Sequence, residues 1–172
     1  LTCFSILSDY FREKELEDAV VVAADLGFAK KARNLAAELR MPLALVEKRR
    51  VSVDTEALTL VGEVEDHDVI IVDDEVDTAG TMVNAVDIVR EYGANDVFLC
   101  FAHGVFSPPA IERLKDVPVK EIVTTNSISS SAECHLPNLT VLSVAGLLGE
   151  VIQRVHEGRS VGEIFQQYQR YK

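Results

Sequence analysis

The stretch from Val69 to Thr81, Val-Ile-Ile-Val-Asp-Asp-Glu-Val-Asp-Thr-Ala-Gly-Thr, limits what this chain can fold into more than any other. Its apolar opening, Val69 to Val72, is too short for a helix and does not alternate, the pattern of a strand buried on both faces. Asp73 and Asp74 follow at the strand's carboxyl end. A short polar turn, Asp77-Thr78-Ala79-Gly80-Thr81, leads into an amphipathic segment from Met82 to Tyr92 that Gly93 closes. Strand, loop and helix in this order form the repeating unit of a parallel sheet with helices packed on it. Backbone N–H groups at a helix start lack acceptors and carry partial positive charge, so small residues there let an anion approach closely. The carboxylates lie where open α/β sheets bind ligands. One loop therefore offers a seat for a phosphate and acceptors for hydroxyls or a divalent cation. The plainer alternative is an ordinary strand-to-helix turn with threonine as its cap.

The rest of the chain repeats the alternation. Helical spacing is expected over Phe4–Lys14, Phe28–Arg40, Pro108–Lys115, Leu147–His156 and, behind a Ser160/Glu163 capping box, to about Tyr171. Strands are expected at Ala19–Ala24, Leu43–Val46, Ala57–Gly62 (an antiparallel edge), Val69–Val72, Asp96–Ala102, Glu121–Thr124 and Leu139–Val144. The sum is an α/β fold, a mostly parallel sheet with helices on both faces, in a single domain over residues 1–172. No repeat, low-complexity tract or linker divides it.

Composition narrows the partners. A net charge of −11 argues against nucleic acid or an anionic membrane surface, although a local nest of N–H groups still accommodates a small anion. Cys3, Cys100 and Cys134 show neither disulfide nor zinc spacing, which suits a reducing, cytoplasmic setting, and Cys100 reads as a small core residue. No apolar run is long enough to span a bilayer and the start is no signal peptide. The phosphate-loop, dinucleotide-fingerprint and hydrolase-elbow motifs are all absent from the sequence.

Secondary candidates share the expected carboxyl edge of the sheet. Asp25-Leu26-Gly27 repeats the strand-end, small-residue, helix-start arrangement, and Asp25 is a candidate oxygen ligand for a divalent cation or a simple helix-entry cap. Lys48-Arg49-Arg50, just past a strand end, is either a solvated charge run or a cation cluster for a transferred phosphoryl group. The loop around Thr124-Thr125-Asn126-Ser127 holds groups able to bond a sugar or phosphate, and His103 in Ala-His-Gly is a candidate acid–base or nucleotide contact or a local hydrogen-bonding residue.

The loop at 73–81 resembles the phosphoribosyl-pyrophosphate motif of type I phosphoribosyltransferases and ribose-phosphate pyrophosphokinases. Together, Val-Val-Val-Ala-Ala-Asp-Leu-Gly (20–27), Glu-Lys-Arg-Arg (47–50), Val-Asp-Asp-Glu-Val-Asp-Thr-Ala-Gly-Thr (72–81), Phe-Ala-His-Gly-Val-Phe-Ser (101–107) and Arg-Val-His-Glu-Gly-Arg-Ser-Val (154–161) resemble the carboxy-terminal half of the pyrophosphokinases over nearly the whole chain. That resemblance implies diphosphate transfer from ATP to ribose 5-phosphate, giving phosphoribosyl pyrophosphate for nucleotide biosynthesis. It assigns Asp77, Thr78, Ala79, Gly80 and Thr81 to the 5-phosphate. Asp73 and Asp74 would meet the ribose hydroxyls, directly or through Mg2+. Asp25, Leu26 and Gly27 match the pyrophosphate loop, with Asp25, Asp73 and Asp74 as metal ligands. Lys48 and Arg50 match the catalytic basic pair at the base of a mobile loop. It also implies a homo-oligomer, dimer or hexamer.

Several positions depart from that pattern. Phe28 replaces a glycine in the pyrophosphate loop, where it would either crowd a diphosphate or point outward. The run after Arg50, Val51-Ser52-Val53-Asp54, is more acidic than the family's mobile loop. The family's amino-terminal half has no counterpart here and the chain opens Leu1-Thr2-Cys3 without methionine, so a domain of a longer enzyme, weak or inactive alone, or a divergent short relative is expected. The alternatives are a phosphoribosyltransferase of nucleotide salvage and a non-catalytic regulatory homologue.

Overall fold

A computed structural model describes residues 2–50, 56–129 and 135–164. Twelve elements follow one another: α1 (Phe4–Glu13), β1 (Ala19–Ala23), α2 (Ala29–Leu39), β2 (Leu43–Arg50), β3 (Glu56–Val61), β4 (Asp68–Val76), α3 (Gly80–Glu91), β5 (Val97–Gly104), α4 (Ala110–Asp116), β6 (Glu121–Thr125), β7 (Leu139–Leu142) and α5 (Ala145–His156).

The strands form one seven-stranded sheet in the order β3-β2-β1-β4-β5-β6-β7. All neighbours are parallel except β2 and β3, which pair antiparallel as the expected edge. Adjacent side chains on a strand point to opposite faces, and both faces of the central strands are covered, so their sequences read as unbroken apolar runs. Val21, Ala23, Ile70 and Val72 pack with Leu7, Phe11, Leu35 and Ala36 of α1 and α2. Val20, Val22, Val69 and Ile71 pack on the other side with Met82, Ala85, Val86 and Val89 of α3 and Leu114 of α4. Cys100 is fully buried in the first of these layers.

From β1 the chain passes outward through α2 to β2 and β3, then returns to lay β4 on β1's other side and continues through α3 to β5. The direction of winding reverses between β1 and β4. Their carboxyl ends therefore part around a crevice, the position at which open α/β sheets take their ligands.

Four strands outrun their expected ends. β5 runs two residues past Ala102, through His103 to Gly104. β4 continues through Asp73, Asp74 and Glu75 to Val76, because β5 carries the pairing on: Asp73 opposes Phe101 and Glu75 opposes His103. β2 continues through Lys48 to Arg50, held by the antiparallel register Lys48–Leu58, Arg49–Ala57 and Arg50–Glu56, so the basic cluster closes a strand and does not lie beyond one. β6 takes in Thr125, and Thr124 and Thr125 are buried strand residues whose hydroxyls donate to Ala102 O, not loop groups offered to a ligand. The Ser160/Glu163 capping box is not formed; Glu163 accepts from Arg154 Nη1 at 2.8 Å instead. Residues 165–171 of the expected last helix, and residues 51–55 after Arg50, lie outside the described residues. Among the described residues no helix is long and apolar enough to cross a membrane.

Candidate active site

The crevice holds two adjoining cavities. One, of about 240 Å³, is lined by the end of β4 and the loop into α3, from Asp73 through Met82, with Asp25 facing it from the end of β1. The other, of about 440 Å³, lies between Ala24–Gly27, Val46 and Leu58 of the β2–β3 pair, and Thr81 and Asn84 of α3. Asp25 and Thr81 line both. The expected site residues Asp25, Leu26, Gly27, Asp73, Asp74, Asp77, Thr78, Ala79, Gly80 and Thr81 are thus brought together at one place, each in one or both cavities.

The loop between β4 and α3 is built to present amides. Ala79 is the N-cap of α3 and sits at φ 64°, in the left-handed region, where an alanine costs on the order of 1 kcal/mol. It makes no side-chain cap bond, so the threonine cap of an ordinary turn is not what this loop uses. The first amide of the helix to find a backbone acceptor is Val83 N, at 3.0 Å from Ala79 O; those of Thr78 to Met82 have none among the described residues. A row of unsatisfied N–H groups at a helix start is an anion seat by its local geometry and its dipole. The loop's base is fixed from β5, where Val105 N and Phe106 N both donate to Val76 O at 3.0 and 3.1 Å.

Carboxylates crowd the same cavity. Asp73 is 9% exposed, and burial pushes its carboxyl up to about 7. The Asp74 amide, donating to Asp73 Oδ1 at 2.8 Å, opposes that rise, while the charges of Asp25 and Asp74 add to it. Asp74 behaves oppositely: Lys31 Nζ lies 2.9 Å from its Oδ2 and holds it below the usual range against the effect of burial. Asp25 is partly a helix-entry cap, since its Oδ1 accepts the Phe28 amide at 2.9 Å, and it still faces both cavities. Among the described residues no three such side chains enclose a metal ion. Asp73 and Asp25 offer carboxylate oxygens to the cavity, the donor type that magnesium takes one or two at a time beside waters and substrate oxygens.

Phe28 neither crowds the loop nor points outward. It is 3% exposed, packed beside Phe4 with ring centroids 5.5 Å apart, and its ring lies beneath Lys31 at 5.2 Å. Bulk at this position turns into the core below α2 and leaves the loop's inner surface to Gly27, where a Cβ would meet Asp25 Oδ1 at 3.1 Å. Lys48 and Arg50 are positioned by backbone at the end of β2, two strands from β4. His103, in β5, contacts Ser127 Oγ through Nδ1 at 2.8 Å and is outside both cavity linings, the local hydrogen-bonding alternative.

Two residues escaped the sequence. Lys31 had a signal: a lysine in the first turn of α2 opposes the helix dipole, which implies a carboxylate close by. Arg113 of α4, whose Nη1 donates to Thr78 O at 2.9 Å, had none, because α4 follows the loop by a whole strand.

Comparison with known proteins follows the same line. A family described as phosphoribosyl synthetase-associated domain matches residues 48–166. A ribose-phosphate pyrophosphokinase of Caldanaerobacter subterraneus subsp. tengcongensis is 44% identical over 162 residues, 93% of this chain and 51% of that protein. A crystal structure of phosphoribosylpyrophosphate synthetase from Mycobacterium smegmatis superposes with a TM-score of 0.85 at 37% identity, over 91% of this chain and 51% of that one. Orotate phosphoribosyltransferase from Aeropyrum pernix, at 19% identity and a TM-score of 0.52 over 86% of this chain and 75% of its own, shares the fold. The chain spans about half the length of the pyrophosphokinases it matches.

Proposed function

This chain belongs to the phosphoribosyl synthetase-associated domain family, and from that premise we propose that it is the ribose 5-phosphate half of a ribose-phosphate pyrophosphokinase, a cytoplasmic enzyme moving diphosphate from ATP to ribose 5-phosphate. The observation that carries the proposal is one cavity joining acceptor-free amides at Thr78–Met82 to the buried, uncompensated carboxylate of Asp73. A sugar phosphate is the ligand that needs both. Its phosphate takes the amides of Thr78 to Thr81, and its ribose hydroxyls meet Asp73 and Asp74.

Mg2+ would be held by one or two of Asp25, Asp73 and Asp74 together with the substrate's oxygens, and the ion would supply charge neutralisation at the transferred diphosphate. The chain's own residues seat and orient the ribose. The Gly27 turn leaves room beside Asp25 for the incoming diphosphate, and Lys48 and Arg50 supply the cations that spread its charge. The remaining ATP contacts belong in this reading to the part of the longer relatives that this chain does not span, and the chain assembles as a homo-oligomer, dimer or hexamer.

Calorimetric titration of the chain with ribose 5-phosphate and magnesium tests this directly. Binding is expected, with Asp77→Ala and Thr81→Ala each weakening it tenfold or so. No binding by the unmutated chain overturns the reading, and turnover of any nucleobase with phosphoribosyl pyrophosphate replaces it with a salvage transferase.

A further inference from the structure

The phosphate loop is gripped from outside the cavity. Arg113 Nη1 donates to the carbonyl of Thr78 at 2.9 Å, and the same nitrogen stands 3.5 Å from where a Cβ on Gly80 would be. Its guanidinium therefore lies along the outer side of the turn, and Arg113 does not contribute to the cavity lining. Among the described residues no carboxylate pairs with it, so this bond is its one polar attachment there.

A trans peptide sets its C=O and N–H in opposite directions. A bond that draws the Thr78 carbonyl outward turns the Ala79 N–H inward, toward the cavity that Thr78, Ala79 and Gly80 line. Ala79 needs such a constraint. It is a non-glycine residue at φ 64° without a side-chain cap, and among the described residues the bond from Arg113 is the one that holds the Thr78 carbonyl. The Thr78 carbonyl is not used by the helix either, since Met82 N does not donate to it.

We propose that Arg113 is a positioning residue for the phosphate seat, holding the Thr78–Ala79 peptide so that the Ala79 amide donates to the 5-phosphate of the sugar. It rests on the proposed function only for the identity of the phosphate. Arg113 also places a positive charge behind a seat whose front carries Asp73, Asp74, Glu75 and Asp77, but it acts through the peptide and touches no substrate.

The test uses the whole chain and three substitutions: Arg113→Met, which removes the donor, Arg113→Lys, which retains one donor and the charge, and Lys115→Met as a control on the same helix. Calorimetry with ribose 5-phosphate and magnesium gives affinity, thermal unfolding gives stability, and the ¹⁵N–¹H resonance of Ala79 is followed during titration with inorganic phosphate. We expect Arg113→Met to bind ribose 5-phosphate roughly tenfold more weakly, the worth of one well-placed hydrogen bond, with its unfolding midpoint unchanged and the phosphate-induced shift of the Ala79 amide lost. Arg113→Lys should recover most of both, and Lys115→Met should match the unmutated chain. Unchanged affinity in Arg113→Met, an Ala79 amide that still responds to phosphate, or an affinity loss that only tracks a fall in the unfolding midpoint overturns the inference. If the unmutated chain fails to bind ribose 5-phosphate while its Ala79 amide responds to inorganic phosphate in an Arg113-dependent way, the positioning role stands and the proposed substrate falls.

Discussion

Glu121 and Asp73 stand at opposite edges of one sheet, both shielded from water, and they titrate in opposite directions. Burial works to raise Glu121, but Lys14 at 2.7 Å, Thr140 at 2.6 Å and Tyr10 outweigh it, and the carboxyl ends below its usual range. Burial raises Asp73 too, and there the single amide of Asp74 does not outweigh it. The contrast extends along both edges. At the amino ends of the strands, Asp68 accepts the Asp96 amide at 3.1 Å and Asp96 pairs with Lys120. At the carboxyl ends, Asp25, Asp73, Asp74, Glu75 and Asp77 face one cavity, and Lys31 is the described cation paired among them. The amino edge completes its own electrostatics within the fold. The carboxyl edge leaves its charge without such partners among the described residues, and in the proposed function a ligand completes it.

The substitution with the largest expected effect is Asp73→Asn. It should weaken ribose 5-phosphate with magnesium by about 100-fold, since a charged acceptor is removed from the ribose side of the cavity. It should also stabilise the free chain at pH 8. Asp73 has a folded-state pKa near 7, above its value of 3.8 when exposed, so the folded chain gains stability as pH falls through 7 and holds all of it below about 4. At pH 8 the ionised, buried group costs up to about 4 kcal/mol, which asparagine does not incur. Thermal unfolding at pH 5 and pH 8 gives the answer: the unmutated chain should melt lower at pH 8, and the variant should lose that part of the difference. An Asp73→Asn chain less stable at pH 8 than the unmutated one breaks the contrast at its centre.

Glu121→Gln tests the other edge and should do the reverse. Losing the Lys14 partner inside a three-donor network costs on the order of 1–3 kcal/mol at pH 7, with ribose 5-phosphate affinity unchanged. A carboxyl held below its unfolded value supports the fold above that value and stops doing so as pH falls through the lower, folded one. The substitution should therefore flatten the acid limb of a stability–pH curve, below about pH 4.5, and leave the limb near neutrality intact. Any change in ligand affinity would show that the two edges are coupled through β6 and β5.

The sequence carried the sheet well because its evidence was local. Val20–Ala23 and Val69–Val72 are apolar on both faces and short, which leaves little besides buried parallel strands. The turn from β4 into α3 was equally legible, since Gly80 and the threonines stand beside the strand that they follow. What failed depended on partners distant in sequence. Nothing within Asp73–Val76 or Lys48–Arg50 says that these polar residues remain in strands; β5 and β3 decide that by offering pairing. Thr124 and Thr125 read as loop groups until Ala102 O appears beside them from the neighbouring strand. Phe28 read as either crowding the loop or pointing outward because its partner Phe4 lies in α1, on the far side of β1 in the chain.

The smallest expected effect comes from Lys31→Met, and it separates the two kinds of charge most finely. The Lys31–Asp74 pair is exposed, with 56% and 46% of the two side chains open to water, so its loss should change stability by less than about 1 kcal/mol. Its consequences for binding should have opposite signs. In the proposed function Lys31 and a magnesium ion would compete for Asp74, and without the lysine the site becomes more negative, so magnesium alone should bind severalfold more tightly. Ribose 5-phosphate titrated without magnesium should bind severalfold more weakly, because the same cation screens the anionic sugar from Asp74 and Asp73. Asp74 should titrate higher, the Lys31 bond being the largest influence that holds it down. Two titrations of one variant decide the matter. If both affinities move in the same direction, Lys31 acts on the shape of the Asp25–Phe28 turn that its ammonium covers, and the carboxyl edge is not the open electrostatic circuit that its contrast with Glu121 implies.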